Sequence, residues 1–401
     1  MSALEIKNGI FWVGAVDYNV RDFHGYETLR GTTYNAYLIH DERLTLVDTV
    51  KKGFCADLLR RIRQVADPAR IEQIVVNHVE MDHSGSLPEI LAAAPLARIY
   101  CTQKGREGLL KHYDLKGREF HIVKTGDRLS TGQKTLEFVT APMVHWPDSM
   151  FTYCLEDRLL LPNDAFGQHI AHPLRFSDEI GEEDCLEEAA RYYANILMPL
   201  GGVIARKLEE FGKLGLPVDM IAPSHGAIWR KDPSRIIRAY QDWTAGRTKH
   251  KAVIIYDTMW ESTDKLARRL AEEISAAGMA VNLHNIRKNP GSAVIRDVLD
   301  ARVLLFGSPT LNADMFWTMG GFLTYLRGLK PTRKKVGIFG SYGWAGGATR
   351  AIRKEIEAMG LEVIEPPFEV QYVPSEEELS KLTEYAKVVI QAAKEELIHK
   401  G

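Results

Sequence analysis

Two α/β domains in series are predicted from this sequence: a strand-rich sandwich, then a doubly wound parallel sheet of five strands. Three observations carry the prediction. Short apolar, β-branched runs follow one another in hairpin-like succession up to about Ala222, with helices between and after them. From Ala252 the pattern changes to regular strand–loop–helix alternation, which a parallel sheet requires. Between the two lies the polar segment Thr244–His250, the expected linker, so the domains are placed at 1–248 and 249–401.

In the first domain, Phe11–Val16, Thr32–Ile39 and Leu44–Val50 read as strands, with His24 in the loop between the first two. Helical spacing from Phe54 to about Val65 leads into the strand Ile71–Val76. Leu136–Ala141 is a strand that runs into Val144-His145-Trp146-Pro147-Asp148. Phe151–Leu155 and Leu159–Leu161 pair as a hairpin that ends at Asn163-Asp164. A long helical region covers Cys185–Leu214, and a last strand, Asp219–Ala222, ends in Pro223-Ser224-His225-Gly226. The second domain has strands at Ala252–Tyr256, Ala280–Leu283, Val303–Phe306, Val336–Phe339 and Leu361–Ile364, and a closing helix from about Glu376.

Composition narrows the function classes. Apolar residues make up 45% and charged residues 26% of 401 residues, as in a soluble globular protein with ample cores. A formal net charge of −2, with no dense Lys/Arg run, argues against nucleic acid as a partner. No apolar run reaches membrane-spanning length and no signal-peptide pattern is present, so a cytoplasmic location is expected. Cys55, Cys101, Cys154 and Cys185 are far apart with no Cys-x-x-Cys, which excludes a rubredoxin-like or zinc-ribbon module within these residues.

The chemistry-bearing stretch is Asn77-His78-Val79-Glu80-Met81-Asp82-His83-Ser84-Gly85. Side chains two apart on an extended segment share a face, which groups His78, Glu80 and Asp82, and a turn at Gly85 can swing His83 round to join them. The spacing differs from the helical zinc signature with two His four residues apart. Four ligand-type side chains at one strand end suit two adjacent ions better than one. Other strand ends supply His145, Asp164 and His225.

This set resembles the metallo-β-lactamase superfamily, an αββα sandwich with metals at the strand ends, whose usual motif is His-x-His-x-Asp-His. Glu80 stands where the second His is usual. A carboxylate there favours iron or manganese, although zinc also accepts carboxylates. On this resemblance His78, Glu80 and His145 form one site, Asp82, His83 and His225 a second, and Asp164 bridges both. Glu80, Trp146-Pro147-Asp148 and the flavodoxin-like second half together resemble one branch, the flavodiiron proteins. That resemblance covers essentially the whole chain. It implies two Fe, FMN, and reduction of dioxygen to water or of nitric oxide to nitrous oxide; the ligands would serve either gas. It also implies catalytic roles for His24 and Tyr193 as hydrogen-bond donors to substrate, against the alternative of turn and core roles. His169 and Asp48 are expected to support ligands without binding metal. The competing reading is a metal-dependent hydrolase with an accessory flavodoxin domain; a third is a pure electron carrier.

In the second half, Thr258, Met259, Trp260, Ser262 and Thr263 form a hydroxyl-rich turn that opens a helix, a site suited to the FMN phosphate. Glu261 within it must point away from a phosphate. Ser308-Pro309-Thr310-Leu311-Asn312 and Ser341-Tyr342-Gly343-Trp344-Ala345-Gly346 follow the third and fourth strands, where flavodoxins clasp the flavin ring. Tyr342 or Trp344 is expected to flank it. No G-x-G-x-x-G fingerprint is present, so electrons are expected from a separate rubredoxin-like protein or a reduced deazaflavin. The resemblance further implies a head-to-tail homodimer or a dimer of dimers, with Trp146 and Trp344 near the intersubunit path.

Overall fold

In a computed structural model, which describes residues 1–394, the chain forms two compact units. The first comprises Met1–Tyr192 and Leu200–Gln241; the second comprises Tyr193–Pro199 and the chain from Asp242. The last positions of the predicted second domain, 395–401, lie outside the described residues.

The first unit is a sandwich of two mixed sheets. One has seven strands in the order Leu4–Lys7, Ile10–Trp12, Tyr37–Ile39, Leu44–Val47, Ile71–Val75, Arg98–Cys101, Phe120–Ile122. The other has five, ordered Arg128–Ser130, Thr135–Thr140, Met150–Cys154, Leu159–Leu161, Met220–Ile221. Period-2 alternation divides the apolar side chains between two cores. Tyr37, Ile39, Val47 and Val75 face Leu136, Phe138, Met150 and Leu161 between the sheets. Leu38, Leu46 and Ile74 point the other way, against helices Cys55–Ile62, Leu87–Ala93 and Gln103–His112.

The long helix expected over Cys185–Leu214 is four pieces. Helix Glu182–Tyr192 runs into a π-helical turn, Tyr193–Leu197, and a short 3-10 turn precedes helix Gly201–Lys213. Pro199 cannot continue the hydrogen-bond ladder, so the helix breaks there.

The second unit carries an all-parallel sheet in the order Ala280–Asn285, Lys251–Tyr256, Val303–Pro309, Lys335–Tyr342, and then an edge shared by two short strands. These edge pieces, Glu362–Val363 and Phe368–Gln371, both pair with Lys335–Tyr342. The sheet therefore has six strands; the five-strand expectation missed Phe368–Gln371, a four-residue run after Pro366-Pro367. The strand order reverses between Lys251–Tyr256 and Val303–Pro309, which puts the crevice for a ligand at the loops after those strands.

Candidate functional site

The strand Ile71–Val75 ends before the ligand-rich stretch, so strand alternation does not assemble it. His78 and Glu80 lie on a loop, and Met81–Ser84 is a single helical turn that brings Asp82 and His83 round. This turn, rather than one at Gly85, redirects His83. Gly85 closes it, where a Cβ would collide with the Met81 carbonyl and the Lys52 backbone nitrogen. Several residues beside the ligands, Asp48, Met143, Asn163 and Phe166, have left-handed backbone, as does His24. Such strain concentrates where a site fixes side-chain directions.

Two donor sets result. His78, Glu80, His145 and Asp164 converge. His145 Nε2 lies 3.1 Å from Asp164 Oδ2 and 3.6 Å from Glu80 Oε2, and His78 Nε2 lies 3.3 Å from that same Glu80 oxygen. In the second set, His83 Nε2 is 3.1 Å from Asp82 Oδ2 and 3.0 Å from Asp164 Oδ1. His225 Nε2 is 3.1 Å and 3.4 Å from the same two oxygens. An ion bound at about 2.0–2.2 Å holds neighbouring donors roughly 3.0–3.5 Å apart, which these spacings match. Asp164 turns Oδ2 to one set and Oδ1 to the other, so its carboxylate spans both.

Surrounding groups orient the rings. The His78 Nδ1–H donates to Asp148 Oδ2 at 2.9 Å, and the same oxygen accepts from the Val79 amide at 2.8 Å. His225 Nδ1–H donates to the Thr33 carbonyl at 2.6 Å. Both arrangements leave Nε2 with its lone pair free for a metal. Asp48 accepts from the Asn77 amide and from the Asn77 and Asn163 side chains, which holds the residues preceding His78 and Asp164. Ser224 Oγ donates to Asp164 Oδ1 at 2.9 Å. Nothing in the motif Trp146-Pro147-Asp148 itself marks Asp148 as the acceptor for His78.

The site's electrostatics call for cations. Burial opposes a charged ring at His78 and His83, but the neighbouring carboxylates outweigh it and raise both, His83 to about 9. Burial likewise opposes ionised Asp82 and Asp164, yet the histidines hold both below the usual carboxylate range. Both Asp82 oxygens, both His83 nitrogens and His225 Nε2 are buried with no hydrogen-bond partner. Orphaned donor atoms around three carboxylates fit a pair of metal ions.

His24 stands across the two sets, with Nε2 3.4 Å from Glu80 Oε1 and 3.8 Å from Asp82 Oδ2. The tyrosine at this cluster is Tyr192, whose ring centroid is 5.0 Å from His169 and 6.4 Å from His24. Tyr193 packs against Trp243, ring centroids 5.2 Å apart, in the second unit. His169 Nδ1 is 2.8 Å from Thr32 Oγ1, and burial together with His225 and His24 keeps its ring neutral.

In the second unit, Ser262 opens helix Ser262–Ala276, and Glu261 caps it in left-handed conformation with its side chain exposed. Thr258 Oγ1 is buried without a partner, as expected of a hydroxyl awaiting a phosphate or ribityl oxygen. Thr263 is tied elsewhere: its hydroxyl lies 2.9 Å from Ser341 Oγ and links the first loop to the third. Ser308 Oγ accepts from the Phe316 amide, the Thr310 amide donates to the Ser341 carbonyl, and Asn312 is left-handed. Pro309 is buried, Tyr342, Gly343 and Gly346 are half-buried, and Met259, Leu311 and Ala345 are exposed. Trp260 and Trp344 are 83% and 91% exposed, and Trp317, which the sequence reading missed, is 78% exposed. Flat aromatics left uncovered at the crevice fit a planar ring ligand.

Fold and donor set together define a metallo-β-lactamase-like domain joined to a flavodoxin-like domain. Comparison with known proteins agrees. The family described as "ODP family beta lactamase" matches residues 32–226, and "Flavodoxin" matches residues 254–385. The "Nitric oxide reductase" of Moorella thermoacetica is 48% identical over 388 residues, covering 96% of this chain and 97% of that protein. The rubredoxin oxygen:oxidoreductase from Desulfovibrio gigas superposes with a TM-score of 0.95 at 36% identity, covering 98% of this chain and 99% of that one. The flavodiiron protein from Giardia intestinalis gives 0.94 at 32% identity, covering 98% and 97%. The chain belongs to the flavodiiron proteins. It is an oxidoreductase whose cofactors are a diiron centre and FMN.

Proposed function

We propose that this protein reduces dioxygen to water, nitric oxide to nitrous oxide, or both, with electrons passing through FMN from a separate donor. The observation that carries this reading is Glu80 in the first donor set beside a bridging Asp164, a carboxylate-rich pair of sites suited to iron. Two irons held by these residues would deliver electrons in pairs, one pair for the coupling of two nitric oxide molecules and two pairs for dioxygen to water, with FMN replenishing them. The ligands proposed are His78, Glu80, His145 and Asp164 for one iron, and Asp82, His83, Asp164 and His225 for the other.

His24 is the hydrogen-bond donor assigned to substrate. Burial disfavours its charged form, but Glu80, 3.4 Å away, and the charges of Asp82 and Asp164 raise its pKa. Tyr192, with an unpartnered buried hydroxyl, takes the hydrogen-bonding role first given to Tyr193. FMN is held by Thr258, Ser262 and the amides of the helix start, with Trp344 or Tyr342 against the ring.

The donor is a rubredoxin-like protein, with reduced deazaflavin as the competing source. The working assembly is a head-to-tail homodimer or a dimer of dimers in the cytoplasm, in which the FMN of one subunit serves the irons of its partner. Among the described residues no helix is long and apolar enough to cross a membrane, in keeping with that location. The functional division proposed, 1–248 and 249–401, lies a few residues after the Gln241–Asp242 boundary of the two compact units and leaves Tyr193–Pro199 on the other side.

The test is anaerobic reduction of the loaded protein, then separate addition of dioxygen and nitric oxide while following flavin reoxidation and product. Rapid reoxidation with water or nitrous oxide formed is expected. Fully loaded protein that reoxidises no faster than free FMN with either gas refutes the reading. Mixing His78→Ala subunits with flavin-deficient subunits tests the assembly: activity should return on subunit exchange, and exchange without activity contradicts the head-to-tail arrangement.

A further inference from the structure

The turn proposed to take the FMN phosphate has no cation of its own. Residues 257–264, Asp-Thr-Met-Trp-Glu-Ser-Thr-Asp, carry three carboxylates and no Lys or Arg. Glu261 is exposed, and Asp264 is paired with Arg268, whose Nε lies 2.6 Å from its Oδ2. Asp257 is different. It follows strand Lys251–Tyr256, is 0% exposed, and immediately precedes Thr258. A buried carboxylate one residue from an anion site repels the anion through a medium that screens it poorly.

That charge is met from outside the turn. Arg287 Nε lies 2.7 Å and 2.8 Å from the two Asp257 oxygens, and Arg287 Nη2 donates to the Thr258 carbonyl at 3.1 Å. The Thr258 amide donates to Asp257 Oδ1 at 2.6 Å, and Thr318 Oγ1 donates to Oδ2. The guanidinium is itself held in place. The Arg287 amide donates to Asn285 Oδ1 at 3.0 Å, and its Cζ sits 5.2 Å from the Phe316 ring centroid. One carboxylate thus joins the turn, the end of strand Ala280–Asn285 and the start of helix Trp317–Leu329. The Asp257 side chain is 1% exposed and that of Arg287 46%, so only the cationic half of the pair is open to the solution from which a ligand arrives.

We propose that Arg287 is a positioning and specificity residue for the flavin, which makes the turn accept a phosphorylated flavin in preference to an unphosphorylated one. It acts in two ways. It cancels the Asp257 charge, and it turns the Thr258 carbonyl, the negative end of a dipole, toward itself. The Thr258 amide is engaged by Asp257, so a phosphate depends on the remaining amides and hydroxyls of the turn, and the Arg287 charge decides whether a dianion is tolerated there. The proposal rests on the placement of the FMN phosphate at the start of helix Ser262–Ala276 given above.

The experiment is fluorescence titration of the iron-loaded protein, depleted of flavin, with FMN and with riboflavin, which lacks the phosphate. Arg287→Met should weaken FMN by about tenfold or more and leave riboflavin within about twofold, whereas loss of loop structure alone lowers both together. Asp257→Asn reverses the sign: the guanidinium is then uncompensated, and FMN should bind about threefold tighter with riboflavin unchanged. That variant decides the matter should Arg287→Met fail to fold. Parallel losses of FMN and riboflavin in Arg287→Met, no loss of either, or FMN bound no tighter by Asp257→Asn would each overturn the assignment. Thr258→Val separates the two readings. FMN weakened there but not in Arg287→Met sinks the role of Arg287 alone, and FMN unchanged in both sinks the phosphate placement as well.

Discussion

Both cofactor regions lie where strands end, yet the donor atoms of one are buried while the aromatics of the other are open to solvent. In the first unit His78, His83 and His225 are 0% exposed, and hydrogen bonds from His78 to Asp148, from His225 to the Thr33 carbonyl and from Ser224 to Asp164 fix ligand directions. In the second unit Trp260, Trp317 and Trp344 are exposed, and the loops are joined by Thr263–Ser341 and Thr310–Ser341 hydrogen bonds and through Asp257, which accepts from Arg287 and Thr318. The difference follows from what each region holds. Clustered carboxylates repel one another and can collapse onto neighbouring imidazoles unless their directions are fixed, and a dry setting strengthens their grip on cations. A flavin is large, flat and mostly apolar, so its site needs a phosphate anchor and uncovered aromatic surface more than a rigid cage.

The sharpest way to break this contrast is to remove the group shared by both donor sets. Asp164→Ala should lower bound iron well below two per chain and reduce gas turnover by at least about 100-fold, while FMN content stays normal. Elemental analysis and flavin absorbance on one sample check it; retained iron with full turnover would refute the bridge. A smaller effect is expected from Asp148→Asn, which keeps the shape but weakens the acceptor for His78 Nδ1–H. Iron affinity or turnover should fall about 10–100-fold with an unchanged circular dichroism spectrum.

On the flavin side, Thr258→Val removes the unpartnered buried hydroxyl and should weaken FMN binding by about tenfold, measured by fluorescence titration. Thr263→Val should act on the loop tie to Ser341 instead, lowering thermal stability more than FMN affinity. Equal losses of affinity in both variants would erase the distinction drawn between the two hydroxyls.

The smallest effect is a pH dependence confined to the metal-free protein. Burial works against charged His78 and His83, but their carboxylate neighbours prevail, so both bind protons more tightly folded than unfolded. That stabilisation is fully present below about pH 6.5, the unfolded value, and is lost as pH rises through the folded value, about 9 for His83. Metal-free protein should therefore lose thermal stability across that window, and metal-loaded protein should not, because cations have replaced the protons. Scanning calorimetry of both forms checks the sign.

Much of the metal region was legible because its residue types are rare at strand ends: His78, Glu80, Asp82, His83, His145, Asp164 and His225 all appear in the donor sets that the fold assembles. The path by which they converge was not legible. Alternation along a strand was invoked where a loop and one helical turn act instead, because the sequence does not mark where the strand Ile71–Val75 stops. Tyr192 and Tyr193 are adjacent, and only the π-helical turn that begins at Tyr193 decides which ring stays with the first unit. Hydroxyl-rich loops give a weaker signal in the second unit, because nothing in the sequence shows that the Thr263 hydroxyl also meets Ser341. Trp317 went unnoticed because a helix start carries no mark of exposure.

The central claim is that the first unit holds two redox-active irons, chosen over zinc by its carboxylate-rich donors. It is tested most directly by counting metals per chain in protein produced with iron and zinc both available, and by following gas turnover across preparations of different iron content. Two irons per chain, little zinc, and turnover proportional to iron are the predicted result. Two zinc ions per chain with no iron, or gas turnover that does not track iron, would contradict it.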